Sequence, residues 1–144
     1  MRAGAFELDQ NGGSPIDVLV STSVIGGRTI AVLTFAGSDI IGGSLADGSY
    51  ILTLQTDRIH DRLGRKLDGD CDGTPGGNRV DSFFRLFGDS DGDGRVDQSD
   101  RDLFRSAFKT SAGQAGYLWY FDFDGNGEVN GRDNGQFNRR FGQF

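Results

Sequence analysis

The sequence repeats itself at an offset of 33 residues. Asp89-Ser90-Asp91-Gly92-Asp93-Gly94-Arg95-Val96-Asp97-Gln98-Ser99-Asp100 lies over Asp122-Phe123-Asp124-Gly125-Asn126-Gly127-Glu128-Val129-Asn130-Gly131-Arg132-Asp133. Of the twelve positions, the first, third, fourth, sixth, eighth and twelfth are identical. The fifth and ninth exchange Asp for Asn, which keeps an oxygen at the side-chain tip. The match runs on through Phe104 over Phe137 and Phe108 over Phe141. A duplication of this length constrains the fold, because each copy must form the same small unit twice.

The spacing has a physical reading. Ca²⁺ takes roughly six to eight hard oxygen ligands, and a twelve-residue loop can supply them from positions 1, 3, 5, 7, 9 and 12. In the first loop those positions are Asp89, Asp91, Asp93, Arg95, Asp97 and Asp100. In the second they are Asp122, Asp124, Asn126, Glu128, Asn130 and Asp133. Position 7 contributes its backbone carbonyl, so the side chains of Arg95 and Glu128 are free to vary. Position 6 needs a sharp turn and holds Gly94 and Gly127. Position 8 is apolar, and Val96 and Val129 are expected to pair with each other across a short bridge. Five carboxylates within the first loop repel one another until a cation is present. Two calcium ions are therefore expected. Asp68, Asp70 and Asp72 begin a third such loop, but its twelfth position falls on Arg79. A third ion there and a plain acidic turn both remain open.

The segment after each loop reads as a helix. Residues 99–109 put Leu103, Phe104, Ala107 and Phe108 on one face. A weaker helix is expected over about 132–141, where Asn134 and Gly135 lower the propensity.

The residues before the repeat have another character. Ile16, Val18 and Val20, then Ala31, Leu33 and Phe35, then Tyr50, Leu52 and Leu54 alternate with their neighbours in the period of a strand. Gly26-Gly27 between two of these runs suits a two-residue hairpin turn with both φ angles positive. Gly42-Gly43 and Asp47-Gly48 are further turn signals. Val80–Phe87 fits a last strand better than a short helix. Phe6 and Phe35 are the only phenylalanines before residue 80, so the aromatic core lies later in the chain. The expected fold class is mixed: an all-β Ig-like sandwich over 1–87, followed by a small α-helical domain over 88–144 carrying the two calcium loops.

The duplicated loop and following helix, with Asp at position 12 and no convincing entering helix, resembles the type I dockerin module. The matching residues are Asp89, Asp91, Asp93, Gly94, Val96, Asp97, Asp100, Leu103 and Phe104, and again Asp122, Asp124, Asn126, Gly127, Val129, Asn130, Asp133 and Phe137. The resemblance implies a non-catalytic module that folds around two calcium ions and docks onto a cohesin-like or other cell-surface protein domain. Partner contacts in that family concentrate at loop positions 10 and 11, often Ser-Thr. Here they are Gln98-Ser99 and Gly131-Arg132, so calcium binding carries over better than cohesin docking. Leu45-x-Asp47-Gly48-x-Tyr50-x-Leu52-x-Leu54, then Ile59-x-Asp61-x-x-Gly64-x-x-Leu67-Asp68-Gly69-Asp70, is similar to bacterial Ig-like surface domains. That pairing resembles the C-termini of large secreted proteins of planctomycete-type bacteria. It implies an extracellular or cell-surface location and a sandwich lacking its first strand, as in a piece of a longer chain.

Other functional classes fit less well. A net charge of -6 argues against a nucleic-acid binder. No run approaches the ~18 apolar residues of a membrane span. The single histidine, His60, sits among Arg58, Asp61 and Arg62 and reads as exposed loop rather than catalyst. Cys71, among carboxylates, reads as an idle thiol. No enzyme is expected within these 144 residues, although the chain could be the appended tail of a secreted polysaccharide-degrading enzyme. An intracellular calcium sensor or buffer is disfavoured, since Met1 is the only methionine and a sensor opens a Met-rich groove.

Overall fold

The alternating runs become strands of one sheet in the computed structural model, which describes residues 4–10, 13 and 15–143. Among the described residues seven strands form: β1 (Phe6–Gln10), β2 (Pro15–Ile25), β3 (Arg28–Ala36), β4 (Ile40–Ile41), β5 (Ser44–Leu45), β6 (Gly48–Leu54) and β7 (Arg79–Arg85). Two helices come after them, α1 (Gln98–Ala107) and α2 (Gly131–Arg140). The chain divides into two compact units. One comprises Met1–Gly37 with Gly48–Phe83, the other Ser38–Asp47 with Phe84–Phe144.

The first unit is built on a five-stranded sheet in the order β3-β2-β1-β6-β7. Strands β2 and β3 pair antiparallel from Asp17↔Ala36 to Ile25↔Arg28. Gly26 and Gly27 turn the chain between them at φ +58° and +79°, values an L side chain disfavours. Leu8 of β1 lies between Ile16 of β2 and Leu52 of β6. Leu8 and Tyr50 are fully buried, and the Tyr50 ring stacks on Phe83 at 5.4 Å.

The expected Ig-like sandwich is not formed. A sandwich buries two facing sheets, whereas this unit has one antiparallel sheet with no second sheet packed on it among the described residues. Leu19, Val24, Ile25 and Val32 of the β2–β3 hairpin stay 50–64% exposed. Alternation in the sequence reports strands correctly, but it carries no information about whether a facing layer exists.

The expected separate α-helical domain is not formed either. Among the described residues the second unit contains two ten-residue α-helices and one 3-10 turn at Trp119–Phe121, and most of it is turn and loop. It also takes in the β4–β5 hairpin, paired Ile40↔Leu45 and Ile41↔Ser44, which comes from the middle of the β-rich half. Twelve-residue loops built on Asp and Gly spend their residues on turns, so little chain is left for helix. Its core is aromatic: Phe87, Phe104, Phe121 and Phe137 are buried with Val96, Ala107 and Val129. The Phe104 ring sits 4.7 Å from Phe137 and 5.1 Å from Phe121. Rings this close hold one another by more than area alone. No helix among the described residues is long and apolar enough to cross a membrane.

Candidate metal centres

The two loops fold by closely matching hydrogen bonds displaced by 33 residues, differing at position 1, which accepts from the position-4 amide in the first loop and the position-5 amide in the second. At position 1, Asp89 accepts from the backbone N–H of Gly92 at 2.7 Å and of Gly94 at 2.9 Å. Asp122 accepts from the N–H of Asn126 at 3.1 Å and of Gly127 at 2.7 Å. At position 5, Asp93 and Asn126 each accept from the amide two residues on, both at 2.8 Å. Gly94 and Gly127 hold φ +87° and +86°. That is the left-handed turn that position 6 requires.

Position 12 ties loop to helix. The buried Asp100 carboxylate accepts from the amide and hydroxyl of Ser90, both at 2.7 Å, and from the amide of Asp97 at 2.8 Å. Asp133 accepts from Phe123 N–H at 2.8 Å and Asn130 N–H at 2.7 Å. Asp97 and Asn130, at position 9, are the N-caps of α1 and α2, each closing a reciprocal capping box with position 12. The Ser99 hydroxyl and then its amide hold the Asp97 carboxyl below the usual carboxylate range.

The carboxylate oxygens converge as the spacing demands, though not completely. Oxygens of Asp89, Asp91 and Asp93 lie within 4.8 Å of one another, and so do those of Asp122, Asp124 and Asp133. The exposed side chains of Arg95 and Glu128 mark position 7, where a carbonyl would serve as the ligand. Asp97 and Asn130 spend an oxygen on helix caps, so they suit contact through water. Asp124 leaves Oδ1 buried without a hydrogen-bond partner, while its other oxygen lies 3.4 Å from Arg132. An orphaned buried carboxylate oxygen is costly unless something positive reaches it. The donor set is all oxygen, which fits a hard cation such as Ca²⁺ rather than a thiophilic or imidazole-seeking metal.

The two valines are fully buried, but they do not pair with each other as expected. Val129 pairs with the segment after α1: Lys109 N–H donates to its carbonyl at 2.7 Å, and its N–H donates to Thr110 at 2.9 Å. Val96 pairs with the segment after α2, through Gly142 N–H at 2.8 Å and the Gln143 carbonyl at 3.4 Å. Each helix is thus followed by a residue that reaches the opposite loop. The chain leaves α1 through Lys109 at φ +70° and α2 through Gly142 at φ +78°. The reason lies in that turn: a left-handed residue after the helix carries the backbone back across the unit.

Three contributors carry no sequence signal for a role at the loops. Tyr117 donates its hydroxyl to Asp122 at 2.8 Å. Partial burial, then this bond, pushes the phenol up to about 12. Asp47, from the inserted hairpin, accepts from Arg85 at 2.8 Å and from the Phe87 amide at 2.7 Å, and it pairs with Arg140. Gly42 of the same hairpin lies against the backbone of Phe123 and Asp124. Asp47 and Gly42 act across long stretches of chain and Tyr117 across five residues, and no ligand-spacing pattern announces any of them in this role.

In the first unit, Asp68, Asp70 and Asp72 also bring oxygens within 4.8 Å of one another, with Asp68 Oδ1 buried and unpartnered. Cys71 between them is exposed with a free thiol at φ +61°. His60 is exposed beside a cavity of about 690 Å³ that Asp61, Arg65 and Asp68 also line. Arg65 is bound to Asp61 there at 2.7 Å. Compared with known proteins, the chain matches no protein-family model, no curated protein and no solved structure, so the functional reading stands on the geometry of its own residues.

Proposed function

We propose that this chain is a non-catalytic, calcium-stabilised interaction module that works outside the cell or on its surface. The observation that carries this reading is the repetition of one loop geometry, twice, around convergent carboxylates. Asp89, Asp91, Asp93, Asp97 and Asp100, with the Arg95 carbonyl, would hold one ion. Asp122, Asp124, Asn126, Asn130 and Asp133, with the Glu128 carbonyl, would hold the second. The loop-and-helix repeat resembles a type I dockerin, and a cohesin-like or other surface protein domain is the partner class this implies. The ions are structural in this reading. An ion at 100 times its dissociation constant adds about 2.7 kcal/mol per site when the unfolded chain does not bind it. Extracellular modules bind calcium at about 10⁻⁴–10⁻³ M, which suits a calcium-rich exterior.

The test is thermal unfolding with millimolar calcium and with EGTA. Calcium is expected to raise the melting temperature and to add helical circular dichroism. Asp89→Ala and Asp122→Ala together are expected to reproduce the EGTA curve in the presence of calcium. Superimposable curves with calcium and with EGTA would defeat the reading.

A further inference from the structure

The two loops share a sequence pattern but not surroundings. In the second loop, the oxygens that converge belong to Asp122, Asp124 and the fully buried Asp133. In the first, they belong to Asp89, Asp91 and Asp93, of which Asp91 and Asp93 are exposed. Position 4 shows the contrast most plainly. A Cβ on Gly92 would meet nothing within 4 Å, whereas one on Gly125 would lie 2.8 Å from the Gly42 Cα. Conversely, a Cβ on Gly42 would lie 2.5 Å from the Phe123 carbonyl oxygen and 2.7 Å from Gly125 N. The β4–β5 hairpin therefore packs backbone to backbone on the second loop, and the first loop has no such buttress at that position. Tyr117 further fixes Asp122 at position 1.

From this we infer that the loops fill in order: the second binds calcium first and more tightly, and the first binds later and exchanges with calcium in solution. The inference rests on the calcium reading above. Two effects oppose each other here. The first loop carries five carboxylates, and its greater charge attracts cations more strongly. Those charges are mostly exposed, so salt screens them and their mutual repulsion must be overcome as the loop closes. The second loop is braced in its closed form by the hairpin. Its Asp124 Oδ1 is buried without a partner, a state that no oxygen of the first loop shares among the described residues. Relieving an orphaned acceptor of that kind is worth about tenfold or more in affinity. Preorganisation and relief of the orphan outweigh screened charge. The consequence is a division of labour: the second ion holds the hairpin, loop and α2 together, and the first makes α1 and its loop responsive to calcium.

The experiment is a calcium titration of the EGTA-treated, ¹⁵N-labelled full chain, followed at the position-6 amides of Gly94 and Gly127. The Gly127 resonance is expected to move first, with a midpoint about tenfold or more below that of Gly94. Gly42→Ala is expected to shift the Gly127 midpoint upward and leave that of Gly94 in place. Gly94 moving first, or both moving together in the wild-type chain, would overturn the inference and leave the calcium reading intact. Neither amide moving would overturn the calcium reading and the inference with it. Because the wild-type titration decides the order alone, the inference stays testable even if Gly42→Ala does not fold.

Discussion

At the residue scale, the repeat makes each residue a control for its counterpart. Lys109 and Gly142 occupy the same turn after the two helices, at φ +70° and +78°. A non-glycine residue there costs about 1–2 kcal/mol. The Lys109 ammonium, 5.8 Å from the centre of the Phe108 ring, returns about 0.5 kcal/mol. Lys109→Gly is therefore expected to stabilise the chain by about 0.5–1.5 kcal/mol, and Gly142→Ala to destabilise it by about 1–2 kcal/mol. Urea unfolding of the two variants checks the signs, and a loss from Lys109→Gly would show that the turn is not strained. Asp61 offers a second test, away from the loops. Its carboxylate accepts from the Arg65 amide at 2.9 Å, the Arg65 guanidinium at 2.7 Å and the Leu63 amide at 2.8 Å. The Arg65 amide first, then the guanidinium, holds Asp61 below the usual carboxylate range. A depressed acid favours the folded state above its unfolded value of about 3.9 and loses that advantage as pH falls through the folded one. Carboxyl NMR should find Asp61 still ionised when aspartates without such bonds have protonated, and Arg65→Ala should narrow the difference without erasing it, because the two backbone amides still donate. Of this scale, the sequence made the recurring carboxylate positions legible, because their spacing falls within twelve consecutive residues. It left Tyr117, Ser90 and Asp47 dark, because each acts through hydrogen bonds to residues chosen by the fold.

At the scale of elements, helices and hairpin turns were the readable part. Local rules govern both. The capping boxes of Asp97 with Asp100 and of Asn130 with Asp133 start α1 and α2 within a residue of where the pattern puts them. What local rules could not supply was the pairing between elements. The valine bridge failed because both valines match the strand pattern equally well, and only the left-handed turns at Lys109 and Gly142 decide which backbone reaches which. The sandwich failed for a related reason: strand alternation is the same for a sheet with a facing layer and for one without. The weak point of α2 is also local. Gly135 sits inside the helix, and a Cβ there would meet nothing within 4 Å. Gly135→Ala is accordingly expected to stabilise the chain by about 0.5–1 kcal/mol through helix propensity and a less flexible unfolded chain. Denaturant titration with an unchanged slope would confirm that only stability has changed. A loss of stability would mean that the exposed face of α2 is not open at that position.

For the whole molecule, the finding with most consequence is that chain order and structural unit part company. Residues 38–47 lie between two strands of the sheet in chain order, yet they belong with the loops and helices of the second unit. Gly42 against Phe123 and Gly125, and Asp47 against Arg85, Phe87 and Arg140, make that membership physical. A boundary read along the sequence would cut this excursion away from its partners. If calcium orders the second unit, its removal must be felt by a hairpin that carries none of the proposed ligands. Hydrogen–deuterium exchange with and without EGTA can measure this peptide by peptide. Chelation is expected to raise exchange in 40–45 together with 122–133, because opening of the loop removes the surface on which the hairpin packs. Exchange in β1 and β2 is expected to change far less, since Leu8, Ile16 and Leu52 hold one another by strand pairing within the first unit. A hairpin that kept its protection while the second loop lost it would show that the hairpin does not depend on the loop. A hairpin that tracked β1 and β2 instead would reassign it to the sheet unit.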